Sequence, residues 1–240
     1  MTDLDNIREA PPASVCAEVA MERILERVVK KEIGLGPESL VSEEYLCRMI
    51  NLDRGWIRQA LSIFYRSGLV GQRPGEGVWI WPVSTDRLNR ITLLCHQIEA
   101  LATSSIVSSS PPRDISQLAL RHEEFSAVNL PGHPFEVDTF IREDANFHAE
   151  LAWAGGYPLG AETVRKWGRH ARIYFSVPEH HEVLVGGHVT LAATTEKIFE
   201  LLKVHSAEAS NFVETYFNAW RDLLRIEIED GTLSMEDDGH

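Results

Sequence analysis

The pattern of apolar and polar positions divides the chain into one mixed segment and one long helical one. From Ser14 to about Glu32, Val15, Val19, Ile24, Leu25, Val28 and Val29 recur near helical spacing. A Gly/Pro connection, 33–40, precedes a short predicted helix from Glu43 to Ile50. Ser42 is placed to cap it, and Leu46, Met49 and Ile50 share one face. Asn51-Leu52-Asp53 reads as a tight turn, with Asp53 available to cap a helix running from Arg54 to about Ser67. Ile57, Ala60, Leu61 and Phe64 form its buried stripe. Gly68 suits a left-handed helix end. Two short strands, Leu69–Arg73 and Val78–Trp81, flank Pro74-Gly75-Glu76-Gly77 and predict a hairpin. A boundary follows at Pro82–Thr85. Beyond it the spacing predicts helices over 86–109, 114–128, 136–154, 160–176, 188–204 and 206–229, with loops at 108–114 and 129–135. The expected organisation is a flexible arm (1–13), a winged helix-turn-helix domain (14–82), an all-helical domain (86–230) and a flexible tail (231–240). The fold class is mainly α.

Composition changes this picture little; charge distribution changes it more. Hydrophobic residues make up 44% and charged residues 25%, ordinary for a globular protein. No apolar run approaches the roughly 20 residues of a membrane span, and the acidic, proline-containing start does not resemble a secretory signal. Cys16, Cys47 and Cys95 have no pairing pattern, so reduced thiols and a cytoplasmic location are expected. The formal net charge is −13. Between Tyr45 and Glu76, however, five arginines (48, 54, 58, 66 and 73) face two acids, whereas from Thr85 onward 13 Lys/Arg stand against 24 Asp/Glu. A basic patch on an acidic body orients a polyanion toward the patch.

Helix, three-residue turn, helix and hairpin is the winged helix-turn-helix order. A reading helix needs an apolar face for its own domain and a face of donors for the major groove. The 54–67 helix has both. Arg54 and Arg58 lie one turn apart near its N-terminal end, whose dipole favours phosphate, and the arginine fork matches guanine O6 and N7. Arg73 and Gly75 belong to the wing. Spacing alone also accommodates an ordinary helical hairpin with solvated arginines.

The stretch 41–80 resembles the GntR family of bacterial regulators. The matching positions are Ser42-Glu43, Leu46, Arg54, Ile57-Arg58, Ala60-Leu61, Gly68-Leu69-Val70, Arg73, Gly75 and Gly77. The resemblance implies DNA contacts at Arg54, Arg58, Arg73 and Gly75. There are departures: Asp53 for the usual Ser, Gly55-Trp56 for Thr-Pro, Ser62 where another Arg is frequent, and Glu76 in the wing. Fewer bases imply weaker phosphate binding or an unusual operator.

The later helices resemble the ligand-binding FCD domain of the FadR-like branch, through DANFHAELAWAGGYPL (144–159) and the rhythm of 194–220. Asp144 and His148, at i and i+4, share a helix face and could supply two ligands to Zn, Ni or Mn. The resemblance implies two further histidines, but Thr195 and Phe217 stand at those positions, so any metal site is incomplete and metal is weak or absent. His170, His180, His181, His188 and His205 are the shifted candidates. The arginine that grips an acid effector in such domains is replaced by Cys95, followed by His96. Arg165 and Arg169, with His170 and Arg172, are the substitutes for binding a carboxylate effector, and Trp153 and Trp167 are expected in core or pocket wall. The resulting expectation is a ligand-responsive regulator, repressor or activator, that binds a pseudo-palindromic operator in double-stranded DNA as a homodimer. Two alternatives are a DNA-binding dimer whose helical domain no longer senses anything, and a metal-dependent hydrolase. The hydrolase lacks any nucleophile elbow, phosphate loop or His-Glu-x-x-His.

Overall fold

The computed structural model describes residues 13–130 and 134–229. The expected arm and tail lie outside these residues, apart from Ala13. Two compact units meet at the Pro82/Val83 junction. Among the described residues are nine α-helices and one two-stranded antiparallel sheet.

In the first unit, α1 (Ala13–Val29) buries Ala17, Ala20, Met21, Ile24, Leu25 and Val28. Val19, part of the expected stripe, faces outward, because Ala17 before it and Ala20 and Met21 after it hold the inward positions. The helix stops three residues before the expected Glu32, and Lys31 turns the chain with φ 59°. Arg23 Nη1 donates to the Ile50 carbonyl (2.9 Å), tying α1 to the end of α2 (Glu43–Ile50). Ser42 caps α2 by accepting from the Tyr45 amide at 3.1 Å, and Asn51 leaves it in the left-handed conformation. α3 (Arg54–Arg66) buries Ile57, Ala60, Leu61 and Phe64 against α1. Asp53 holds the extended N-cap backbone but makes no side-chain capping bond.

The hairpin pairs β1 (Val70–Arg73) with β2 (Gly77–Ile80), Val70 opposite Ile80 and Arg73 opposite Gly77. The preceding connection adds to it: Leu35 bridges Ile80 and Val41 bridges Val78. Gly77 has φ 152°, and a β-carbon there would lie 2.4 Å from the Val41 carbonyl oxygen, so this close approach requires glycine.

The second unit is helical throughout: α4 (Thr85–Ser108), α5 (Ser116–Val128), α6 (Val137–Ala154), α7 (Pro158–Tyr174), α8 (Pro178–Lys203) and α9 (Ala209–Glu229). Central to it is α6, packed on α4, α5, α7 and α8. The bidentate pair of Arg172 with Asp138 (2.6 and 3.1 Å) fastens α7 to α6. The largest departure from the sequence pattern is α8, which begins ten residues before the expected residue 188. Pro178 starts it at a position that needs no amide donor. Gly186-Gly187, which argues against a helix locally, is retained because α9 packs there: a β-carbon on Gly187 would sit 2.3 Å from a Leu223 methyl. Proline also starts α7 two residues early. Trp153 is 56% exposed rather than in the core, whereas Trp167 is buried.

Candidate functional site

Two groups of side chains carry chemistry, one in each unit. In the first, the buried stripe of α3 turns Arg54 and Arg58 outward, with side chains 65% and 59% exposed. Both Nε atoms donate to one carboxylate oxygen, Glu43 Oε2, at 2.9 Å each. Partial burial opposes ionisation of Glu43, but the two guanidiniums outweigh it and hold its carboxyl below the usual range. Arg48 pairs with Glu44 at 3.4 Å, and Arg73 with Glu76 across the hairpin turn at 3.0 Å. Gly75 has φ 80° and open space around it, so the turn backbone is accessible at the wing tip. The basic patch is therefore internally paired. A charge count begun at Tyr45 misses this, because Glu43 and Glu44 lie just outside the window.

In the second unit, Asp144 and His148 are fully enclosed, 0% and 1% exposed. His148 Nδ1 donates to Glu99 Oε2 of α4 at 2.6 Å, and its Nε2 lies 3.3 Å from Thr195 Oγ1 of α8. Tyr216 of α9 stacks on the imidazole with centroids 4.1 Å apart and donates its hydroxyl to Asp144 Oδ2. Asp144 Oδ1 has no hydrogen-bond partner and is 3.8 Å from His148 Nε2. Burial pushes the Asp144 pKa up to about 6, against the opposing pull of His148 and Tyr216. Burial disfavours the His148 imidazolium, but Glu99 and Asp144 prevail and raise its pKa. Tyr216 is held well above the ordinary phenol range by burial and by Asp144, so it remains a donor.

Beside this cluster is a small cavity of about 20 Å³, room for about one water molecule. Thr92, Cys95, His96 and Glu99 of α4 line it, facing Val213, Tyr216, Phe217 and Trp220 of α9. Val164 and Trp167 of α7 and His148 complete the wall. The Trp167 indole is fixed by donating to Thr92 Oγ1 at 2.8 Å. The expected effector residues Arg165 and Arg169 are not among the lining residues; Arg165 pairs with Glu162 at 2.6 Å. Arg172 is engaged by Asp138.

Glu99 and Tyr216 are the members that sequence reasoning missed. A signal for Glu99 existed. Leu88, Thr92, Cys95, Glu99, Ala102 and Ile106 follow one helical stripe, all buried, and Glu99 occupies a core position within it. Tyr216 is adjacent to the expected Phe217, a displacement of one residue on α9.

No protein-family model matches the chain. Among curated proteins, the transcriptional repressor NanR of Escherichia coli, from strain O1:K1 and from K12 DH10B alike, is 26% identical over 174 residues, which is 64% of this chain and 64% of NanR. The chain thus spans just under two thirds of the length of these relatives. Two solved structures share the fold. One, from Rhodococcus sp. RHA1 and described as a transcriptional regulator GntR, has a TM-score of 0.59 at 18% identity, covering 92% of this chain and all of the other. The other, E. coli McbR/YncC, has a TM-score of 0.55 at 14% identity, covering 90% and 96%. The chain is thus similar to a curated transcriptional repressor and shares its fold with a structure described as a GntR transcriptional regulator. The helical-domain resemblance implies a metal held by Asp144, His148 and two more histidines, and the residues present do not fit one. Thr195 and Tyr216 face His148 and Asp144, three of the four heteroatoms of the expected pair are already hydrogen-bonded, and Tyr216 keeps its proton. Among the described residues no group of three or more His, Cys, Asp or Glu is placed to hold an ion. His170 and His180 point instead to the carbonyls of Lys166 and Tyr174, at 2.8 and 2.9 Å. The described helices include none long and apolar enough to cross a membrane.

Proposed function

We propose that this chain is a GntR-family DNA-binding regulator that reads its operator as a homodimer and is tuned by a small ligand in the helical unit. The observation that carries the reading is the geometry of α3. Its 57/60/61/64 stripe is buried while Arg54 and Arg58 project from the opposite face near the N-terminal end, with Arg73 and Gly75 at the wing. That arrangement suits major-groove insertion with the wing on the backbone. A single winged helix contacts too little DNA for selectivity, and two-fold pairing doubles the contacts. Leu93, Leu94 and Leu101 of α4 are each more than half exposed, an apolar face available for pairing. The enclosed Asp144/His148/Glu99/Tyr216 cluster and its cavity are the proposed sensor, without a resident metal. Selection of binding sequences from random duplexes, followed by anisotropy titration, tests the reading. Arg58→Ala weakens the selected site by about 1–3 kcal/mol if the arginine reads a base, and affinity falls steeply with salt. Absence of any sequence-selective binding at low salt removes it.

A further inference from the structure

α3 presents more than its two tethered arginines. The buried stripe of Ile57, Ala60, Leu61 and Phe64 fixes which positions point straight away from the core. These are Gly55, Gln59, Ser62 and Arg66, which follow one line along the helix and are all exposed. Arg54 and Arg58 lie at the margin of that line, where Glu43 of α2 holds both through their Nε atoms at 2.9 Å. Gly55 carries no side chain, and a β-carbon there would meet nothing within 4 Å. Ser62 is short. Between these two, Gln59 is the long side chain on the midline, and its carboxamide makes no hydrogen bond to any described residue. Arg66 closes the line in the last turn. Arg48, Arg54, Arg58 and Arg73 each meet a glutamate, whereas Arg66 meets no carboxylate among the described residues.

A helix lying in the major groove turns the side chains opposite its own core toward the base edges and those at its margins toward the groove walls. The groove is about 12 Å wide and 8.5 Å deep. Small residues at 55 and 62 let the backbone of α3 approach its floor, and Gln59 spans the remaining gap. A carboxamide offers an acceptor and a donor side by side. Adenine matches it, with N6–H donating to the carbonyl oxygen and N7 accepting from the amide nitrogen. Guanine shows two acceptors there, cytosine a donor, and thymine an acceptor beside a methyl group. By fastening Arg54 and Arg58 toward α2, Glu43 keeps them off the midline that Gln59 occupies. Arg66, a cation without a protein partner, is placed for phosphate.

We infer that Gln59 is a specificity-determining residue of the DNA interface and reads an adenine in each half-site. This inference rests on the DNA-binding reading above and adds to it a base and a residue. The test uses full-length protein and the duplex selected by wild type, with each base pair replaced in turn and affinity followed by anisotropy. At one position of each half-site, wild type prefers adenine by about tenfold or more. Gln59→Ala is indifferent at that position. It keeps its discrimination elsewhere and its salt dependence, because no charge is removed. Gln59→Glu, which has acceptors only, moves the preference there to cytosine, whose N4 amine is a donor. Arg66→Ala serves as the contrast: it weakens all sequences alike and lowers the slope of log affinity against log salt by about one. Both Gln59 substitutions place good helix formers at an exposed position, and an unchanged Tm verifies the fold. Discrimination by Gln59→Ala equal to wild type at every position overturns the inference. So does an even loss of affinity across all sequences. Either result leaves the DNA-binding reading standing. Failure of wild type to select any site overturns both.

Discussion

Asp144→Asn isolates the energetic consequence of burying a carboxyl in the α6 cluster. Asp144 is 0% exposed, and its pKa moves from 3.8 to about 6 on folding, chiefly through burial. The sign follows from linkage. Below pH 3.8 the group is protonated in both states and contributes no difference. Between pH 3.8 and about 6 the unfolded chain ionises while the folded one does not, so stability falls as pH rises. Above about 6 the folded group ionises too, and the loss is complete. A shift of this size corresponds to about 3 kcal/mol at 1.36 kcal/mol per unit. Asparagine keeps the shape and can still accept from Tyr216, but it cannot ionise. The variant is therefore close to wild type near pH 4 and gains on it as pH rises, reaching about 3 kcal/mol above pH 6. For a chain of this size that is a Tm difference of about 6–12 °C. His148 acts in the same direction: its raised pKa gives stability that is present below 6.5 and lost as pH rises through the folded value. Calorimetry of both proteins from pH 4 to 8, following the transition of the helical unit, makes the comparison. A difference between the two that stays constant across this range refutes the reasoning.

The remaining predictions concern the other residues that the structure singles out. Glu43→Gln releases Arg54 and Arg58 from their shared carboxylate; affinity for random duplex DNA rises while discrimination in favour of the selected site falls, both measured by anisotropy. Leu94→Glu places a charge in the exposed α4 face, and light scattering at micromolar concentration shows a lower mass than wild type if that face pairs the chains. Untagged protein dialysed against buffer retains well under one equivalent of zinc, nickel or manganese by elemental analysis; near-stoichiometric metal would mean that Tyr216 and Thr195 yield to another ligand. Tyr216→Phe leaves Asp144 without its hydroxyl donor and lowers stability at pH 8 by about 1–3 kcal/mol in urea denaturation.

Much of the architecture was legible in the chain because it depends on local rules. The α2–α3 pair was marked by a serine cap, a 57/60/61/64 stripe and Gly68 at φ 70°, each a short-range preference that the fold has no reason to override. The outward placement of Arg54 and Arg58 follows from the same periodicity. What the sequence could not reveal was set by contacts between residues far apart in it. Glu43 meets Arg58 fifteen residues on, and Glu99 meets His148 across 49, so neither pairing leaves a local trace. The true start of α8 was hidden by two glycines whose value lies in the packing of Leu223 from another helix. The character of the helical site was decided in the same way. Asp144 and His148 could be found by i, i+4 spacing, but whether they hold a metal or an acid depends on what α4, α8 and α9 bring to them. Those helices bring Glu99, Thr195 and Tyr216 in place of further imidazoles, and they leave the cavity wall without a described cation. Periodicity is a property of one helix, whereas the charge of an enclosed site is a sum over all the helices that enclose it.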